Sequence, residues 1–167
     1  MATKLEIIQS KIYTIDTLER LVNQWHMLSK KVVFTNGCFD ITHRGHNTYL
    51  LQAAELGNKL IVGLNSDASV RRLKGQNRPV VDEYSRALNL AMHTYVDAVI
   101  LFDEDTPLHL VETLKPDVLV KGGDYTLETI VGAKEVMAYG GKVDIIPFVE
   151  GYSTTDILSR INQNKTK

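Results

Sequence analysis

At 167 residues the chain is long enough for one domain with a proper core and too short to expect two. Its 44% hydrophobic and 23% charged content is ordinary for a soluble globular protein, and a net charge of −1 gives no basic footprint for nucleic acid or a membrane surface. The single cysteine, Cys38, excludes an internal disulfide, the N-terminus does not read as a signal peptide, and no apolar run approaches the ~18–20 residues that span a bilayer, so a cytoplasmic protein is expected.

In chain order, the first 29 residues form an added helical extension, with Leu18, Leu21, Val22, Trp25 and Leu28 at helical spacing. Short runs rich in Val and Ile follow at 31–35, 59–64, 97–102, 117–121 and 142–148. Their near-continuous apolarity reads as strands buried on both faces of a parallel sheet. Between them, helical patterns run at about 45–57, 83–94, 107–114 and 127–139. Asp82 can cap the second of these, Thr106-Pro107 opens the third, and Gly140-Gly141 ends the fourth. A last short helix opens at Ser153-Thr154-Thr155. Alternation of this kind predicts an α/β fold: a doubly wound, five-stranded parallel sheet of Rossmann-like form in one domain over 30–162, with its ligand site outside the C-terminal strand ends.

The first buried strand ends in Thr35-Asn36-Gly37-Cys38-Phe39-Asp40, and the next helix opens around His43-Arg44-Gly45-His46. A strand-to-helix junction suits phosphates, because the helix N-terminus presents unpaired N–H groups and positive dipole charge. This turn is neither a P-loop nor a Gly-x-Gly-x-x-Gly fingerprint. Gly37 lets backbone N–H groups approach an anion closely. Two imidazoles beside phosphates, with no carboxylate pair or adjacent nucleophile, serve best as donors to charge developing in a phosphoryl transition state. Zinc binding is the weaker reading, since an isolated His-x-x-His lacks the further ligands zinc requires. Cys38 is expected to pack as a small residue in the turn.

Gly-x-Phe-Asp-x-x-His-x-Gly-His, together with Tyr152-Ser153-Thr154-Thr155-Asp156-Ile157 and Arg160, resembles the two signatures of the nucleotidylyltransferase superfamily. Further along, Asn65-Ser66-Asp67-Ala68-Ser69-Val70, Arg72-Leu73-Lys74-Gly75, Arg78-Pro79-Val80, Glu104-Asp105-Thr106-Pro107 and Lys121-Gly122-Gly123-Asp124-Tyr125 look like the adenylyltransferase domains of ADP-heptose synthesis, over roughly 30–160. The resemblance implies transfer of AMP from ATP to a heptose 1-phosphate, in a step of lipopolysaccharide precursor synthesis. Pyrophosphate leaves by direct in-line attack, and Mg²⁺ arrives with the ATP.

It implies catalytic roles for His43, His46, Lys74 and Lys121, with Lys74 on a flexible loop. It implies nucleotide or sugar-phosphate contacts for Thr35, Asn36, Gly37, Phe39, Asp40, Asn65, Asp67, Arg78, Gly122, Asp124, Ser153, Thr154 and Thr155. Asp40 would hold the turn or orient a histidine. The expected partners are ATP and a sugar 1-phosphate, with no nucleic acid and no membrane. A homodimer could use Trp25 and the N-terminal helix. Two other functions compete: a CTP-dependent enzyme acting on glycerol 3-phosphate or a similar alcohol phosphate, and a non-catalytic nucleotide-binding module.

Overall fold

A computed structural model of the chain describes residues 1–123 and 125–147. In order, its elements are α1 (Lys4–Gln9), β1 (Ile12–Tyr13), α2 (Ile15–Met27), β2 (Val32–Gly37), α3 (Arg44–Ala54), β3 (Lys59–Asn65), α4 (Asp67–Lys74), α5 (Glu83–Ala91), β4 (Ala98–Phe102), α6 (Leu108–Leu114), β5 (Val118–Gly122), a 3₁₀ turn (Leu127–Thr129), α7 (Ala133–Ala138) and β6 (Lys142–Ile146).

The strands form one parallel sheet in the order β1-β4-β3-β2-β5-β6. Strand side chains alternate between two cores, as the pleat requires. Phe34, Ile61, Ile100 and Leu119 face α2, α6 and α7 with Leu18, Val22 and Leu114. Val33, Leu60, Val62, Leu64, Val99, Val118 and Val120 face α3 and α5 with Leu50 and Leu90. Chain order reverses between β2 and β5. That is the topological switch point, where a crevice opens at the C-terminal strand ends.

The structure differs from the sequence reading in four places. The sheet has a sixth strand, β1, whose residues Ile12 and Tyr13 register with Val99 and Ile100 at the edge. The N-terminal segment is therefore two helices around a strand, too short to show a period of two. Residues 67–74 form a helix, α4, capped by Ser66, whose side chain accepts from the Ser69 N–H; Lys74 ends that helix instead of riding on a loop. The pattern at 127–139 breaks at Gly132, whose φ of 90° cannot continue a helix, and restarts as α7. Finally, Trp25 packs into the core beside Leu18 and Val22, so it is not available as a dimer surface. Among the described residues no helix is long and apolar enough to cross a membrane.

Candidate active site

The turn after β2 is shaped by close packing. A Cβ on Gly37 would lie 3.0 Å from Cε2 of the Phe39 ring, so any side chain there would push the folded-back ring away by a few tenths of an ångström. Phe39 itself takes a left-handed φ of 42° and is buried. Its ring meets His46 with centroids 5.4 Å apart, and His46 in turn meets His43 at 4.0 Å.

His43 caps α3, and its Nδ1 accepts from the Gly45 N–H at 3.1 Å. An imidazole used as a cap is a substitute for the usual Ser, Thr, Asp or Asn. The bond also sets the tautomer. A neutral His43 that accepts at Nδ1 carries its proton on Nε2, which makes Nε2–H a donor. Burial pushes the His43 pKa below its ordinary value. His46 is pushed down to about 4, first by burial and then by the neighbouring His43, with the Ile41 backbone opposing. Its Nδ1 is buried and has no hydrogen bond of proper geometry among the described residues. Without a ligand, the pair is thus neutral near pH 7. An anion would reverse the penalty of charging it.

Across the switch point, the Lys121 ammonium at the end of β5 donates to Asn36 Oδ1 at the end of β2. Burial pulls the Lys121 pKa down to about 8. A partly desolvated cation of this kind gains from an incoming phosphate. Gly122 closes β5 beside it.

Asp40 is buried, and its Oδ1 accepts from the N–H groups of Val80 and Val81 at 2.8 and 2.9 Å. Its Oδ2 lies 2.8 Å from Arg78 Nε, an ion pair in which the N–H does not point at the oxygen. The carboxylate therefore pins the segment between α4 and α5 against the turn. The half-buried Cys38 thiol is pushed up by burial, while the charges of Lys74, Arg86 and Arg78 oppose that and Asp40 adds to it. Lys74 and Arg78 consequently stand near enough to this turn for their charge to be felt there.

His43, His46, Asn36, Gly37, Phe39, Asp40, Lys121 and Gly122 are brought to one rim, with Lys74 and Arg78 beside it. Three other expected contacts are not delivered by side chains. Thr35 is fully buried, and its hydroxyl is 2.5 Å from the Tyr49 hydroxyl. Asn65 is buried and donates to Ser69 Oγ at 3.0 Å. The Asp67 carboxylate accepts from Arg86 Nη2 at 2.7 Å. Thr35 and Asn65 are satisfied inside the protein, where burial without a partner would be costly, and the partly exposed Asp67 is held by the buried Arg86. Asp124, Ser153, Thr154 and Thr155 lie outside the described residues.

Sequence reasoning placed Arg86 at the start of a helix, with reach to the phosphates as the weaker reading. In the structure it is 0% exposed and makes four hydrogen bonds: Nε to Val81 O, Nη1 to Cys38 O and Asn65 O, and Nη2 to Asp67 Oδ1. The available signal was its spacing. Arg86 lies four residues before Leu90 on the buried stripe of α5, where a solvated charge has no place.

The family model described as Cytidylyltransferase-like matches residues 34–160. The proteins named "Bifunctional protein HldE" include close relatives. That of Citrifermentans bemidjiense is 55% identical over 152 residues, 91% of this chain and 31% of the relative. That of Geotalea uraniireducens is 53% identical, over 95% of this chain and 32% of the relative. The chain thus spans about a third of the length of the curated relatives it matches.

Among solved structures, a lipopolysaccharide core biosynthesis protein from Thermoplasma volcanium superposes with a TM-score of 0.58 at 31% identity, over 74% of this chain and 99% of that one. A pantoate-beta-alanine ligase from Francisella tularensis, complexed with beta-gamma ATP and beta-alanine, also gives 0.58. Its identity is 12%, over 87% of this chain and 74% of that one, so it speaks for the fold alone.

Proposed function

The chain belongs to the cytidylyltransferase-like family and is a nucleotidyltransferase, and from that premise we propose that it transfers AMP from ATP to a heptose 1-phosphate, releasing pyrophosphate. The observation that carries the chemistry is the contact pair His43 and His46 at the start of α3, with the half-buried Lys121 bonded to Asn36 at the end of the preceding strand. An oxygen of the sugar phosphate attacks the α-phosphorus of ATP in line, the bond from that phosphorus to the bridging oxygen breaks, and the electron pair leaves on pyrophosphate. The attacking oxygen is already an anion, so no general base is needed. The work is positioning and charge stabilisation.

His43 and His46 donate to the phosphate oxygens as charge builds there. The backbone of Asn36, Gly37 and Phe39 lines the nucleotide, and Lys74 and Arg78 neutralise phosphate charge from the rim. Lys121 meets the sugar phosphate, and Gly122 and Asp124 contribute to the same recognition. Ser153, Thr154 and Thr155 hold the leaving phosphates. Asp40 acts as the clamp on the 78–81 segment. The side chains of Asp40 and Asp67 are engaged by Val80, Val81 and Arg86, and imidazoles and ammonium groups are poor ligands for magnesium. Mg²⁺ would arrive with the ATP substrate and neutralise triphosphate charge there. The catalytic unit is 30–162, with 1–29 as an extension, and it works in the cytoplasm, where ATP is available.

The choice of ATP and a heptose phosphate is supported by the Lys121-Gly122-Gly123-Asp124-Tyr125 segment and by identities of 55% and 53% with two relatives named HldE. Pyrophosphate release should be measured for four nucleotides against a panel of phosphate esters. Turnover with CTP and glycerol 3-phosphate, and none with ATP and a heptose 1-phosphate, would overturn the reading. His46→Ala should keep ATP binding and lose about 100-fold or more in turnover, the scale for one charge-stabilising donor. Unchanged turnover would remove His46 from its role.

A further inference from the structure

Arg86 cannot touch a ligand, because it is fully buried, yet its guanidinium ties together three chain segments beside the candidate site. It takes the Cys38 carbonyl at 2.6 Å in the turn after β2 and the Asn65 carbonyl at 2.9 Å at the end of β3. The Val81 carbonyl, at 2.9 Å, belongs to the segment that carries Arg78. The Asp67 carboxylate, at 2.7 Å, belongs to the first turn of α4, whose last residue is Lys74. Two further bonds brace the same arrangement. Asp67 N–H donates to Glu83 Oε2 at 2.7 Å, and Val81 is gripped from both sides, by Asp40 at its N–H and by Arg86 at its carbonyl.

We propose that Arg86 is a positioning residue for phosphoryl transfer at this site, fixing the direction of the Cys38–Phe39 peptide and the seat of the Lys74–Arg78 segment. The physical basis is the planar trans peptide, in which C=O and N–H point in opposite directions. Drawing the Cys38 carbonyl down onto the guanidinium turns the Phe39 N–H away from the interior, toward where an anion would lie. Only a planar fork with several donors in fixed directions satisfies four acceptors from three segments at once; a lysine, with one nitrogen, cannot. The proposal rests on the nucleotidyl-transfer reading, which supplies the phosphates to be positioned.

The test compares Arg86→Lys with Leu114→Ala. Leu114 is a core residue among the α2, α6 and α7 side chains, and its truncation also lowers stability. Both variants are assayed at a temperature where circular dichroism shows them folded. Arg86→Lys is expected to lose about 100-fold in kcat, the scale of a 1 Å misplacement, with KM for ATP changing less than about fivefold. Leu114→Ala should stay within about threefold of wild type. Equal losses in the two variants overturn the proposal, since Arg86 would then act through stability alone.

If Arg86→Lys does not fold, Asp67→Asn, which loosens only the Nη2 contact, is read against the same control. A loss no larger than the control's overturns the proposal. Amide exchange in the nucleotide-free protein gives a reading independent of substrate: protection at 37–40 and 80–81 should fall in Arg86→Lys and hold in Leu114→Ala. Retained protection in both also overturns it. Absence of pyrophosphate release by the wild-type chain would count against the proposed reaction, and not against this arrangement of loops.

Discussion

Replacing Asp40 by alanine removes the buried carboxylate that ties the segment between α4 and α5 to the turn after β2. Its side chain is 1% exposed, and its Oδ1 takes two backbone N–H groups, from Val80 and Val81. Hydrogen bonds to a charged acceptor contribute about 1.5–3 kcal/mol each, so the two lost bonds set a gross cost of about 3–6 kcal/mol. Val80 is exposed and Val81 half-buried, so the freed backbone donors reach water and the lower end, about 3 kcal/mol, applies.

For a chain of this size that is a fall of about 6–12 °C in Tm. Asp40→Asn separates charge from geometry. Its amide oxygen can still accept both N–H groups, but its NH₂ then faces Arg78 Nε, donor against donor, and the expected cost is about 1–2 kcal/mol. Urea unfolding of the three proteins at pH 7, with equal m-values, measures both steps. An alanine variant within 1 kcal/mol of wild type, or an asparagine variant as unstable as alanine, would refute the clamp.

His46 carries a pH signature. Its folded pKa of about 4 lies below the ordinary 6.5, so the unfolded chain binds the extra proton between those values. Stability is full above pH 6.5 and falls as pH drops toward 4, by about 2–3 kcal/mol from this group. An NMR titration giving a His46 midpoint near 6.5 would refute the burial argument, and His46→Gln should flatten the slope in urea melts. Lys121 behaves in the same sense at higher pH. Its folded pKa of about 8 lies below 10.5, so its burial penalty is full below pH 8 and is relieved as pH rises to 10.5. Lys121→Met should therefore gain about 1 kcal/mol at pH 7 after losing the bond to Asn36, while turnover collapses. A variant destabilised by more than 1 kcal/mol in thermal melts would reverse that ordering of terms.

The strands and most helices were legible because each carries its own period. Val32 to Phe34, Leu60 to Leu64 and Val118 to Val120 are apolar on both faces, and the sheet buries both. Asp82 caps α5 as its residue type suggests, accepting from the Ser85 N–H at 2.9 Å. What stayed hidden had too little local signal: β1 is two residues long, and α4 has a short, mostly polar sequence whose main cue is the Ser66 cap. At the site, the histidines and Lys121 were legible from residue type and position. The engagement of Asp67 by Arg86 and the burial of Thr35 under Tyr49 were not, because both depend on partners 14 or more residues away.

By itself, then, the sequence determined a parallel α/β sheet, a phosphate-suited turn ahead of α3, and two imidazoles within it. Spacing and side-chain chemistry are properties of the chain alone. Only the tertiary structure decided which charges face a ligand and which are consumed in holding the loops. Whether a carboxylate or guanidinium meets water, phosphate or its own backbone depends on what three distant strand ends bring against it. In Asp40 and Asp67 that packing turned expected ligand residues into the frame that carries the site, with the buried Arg86 at its centre.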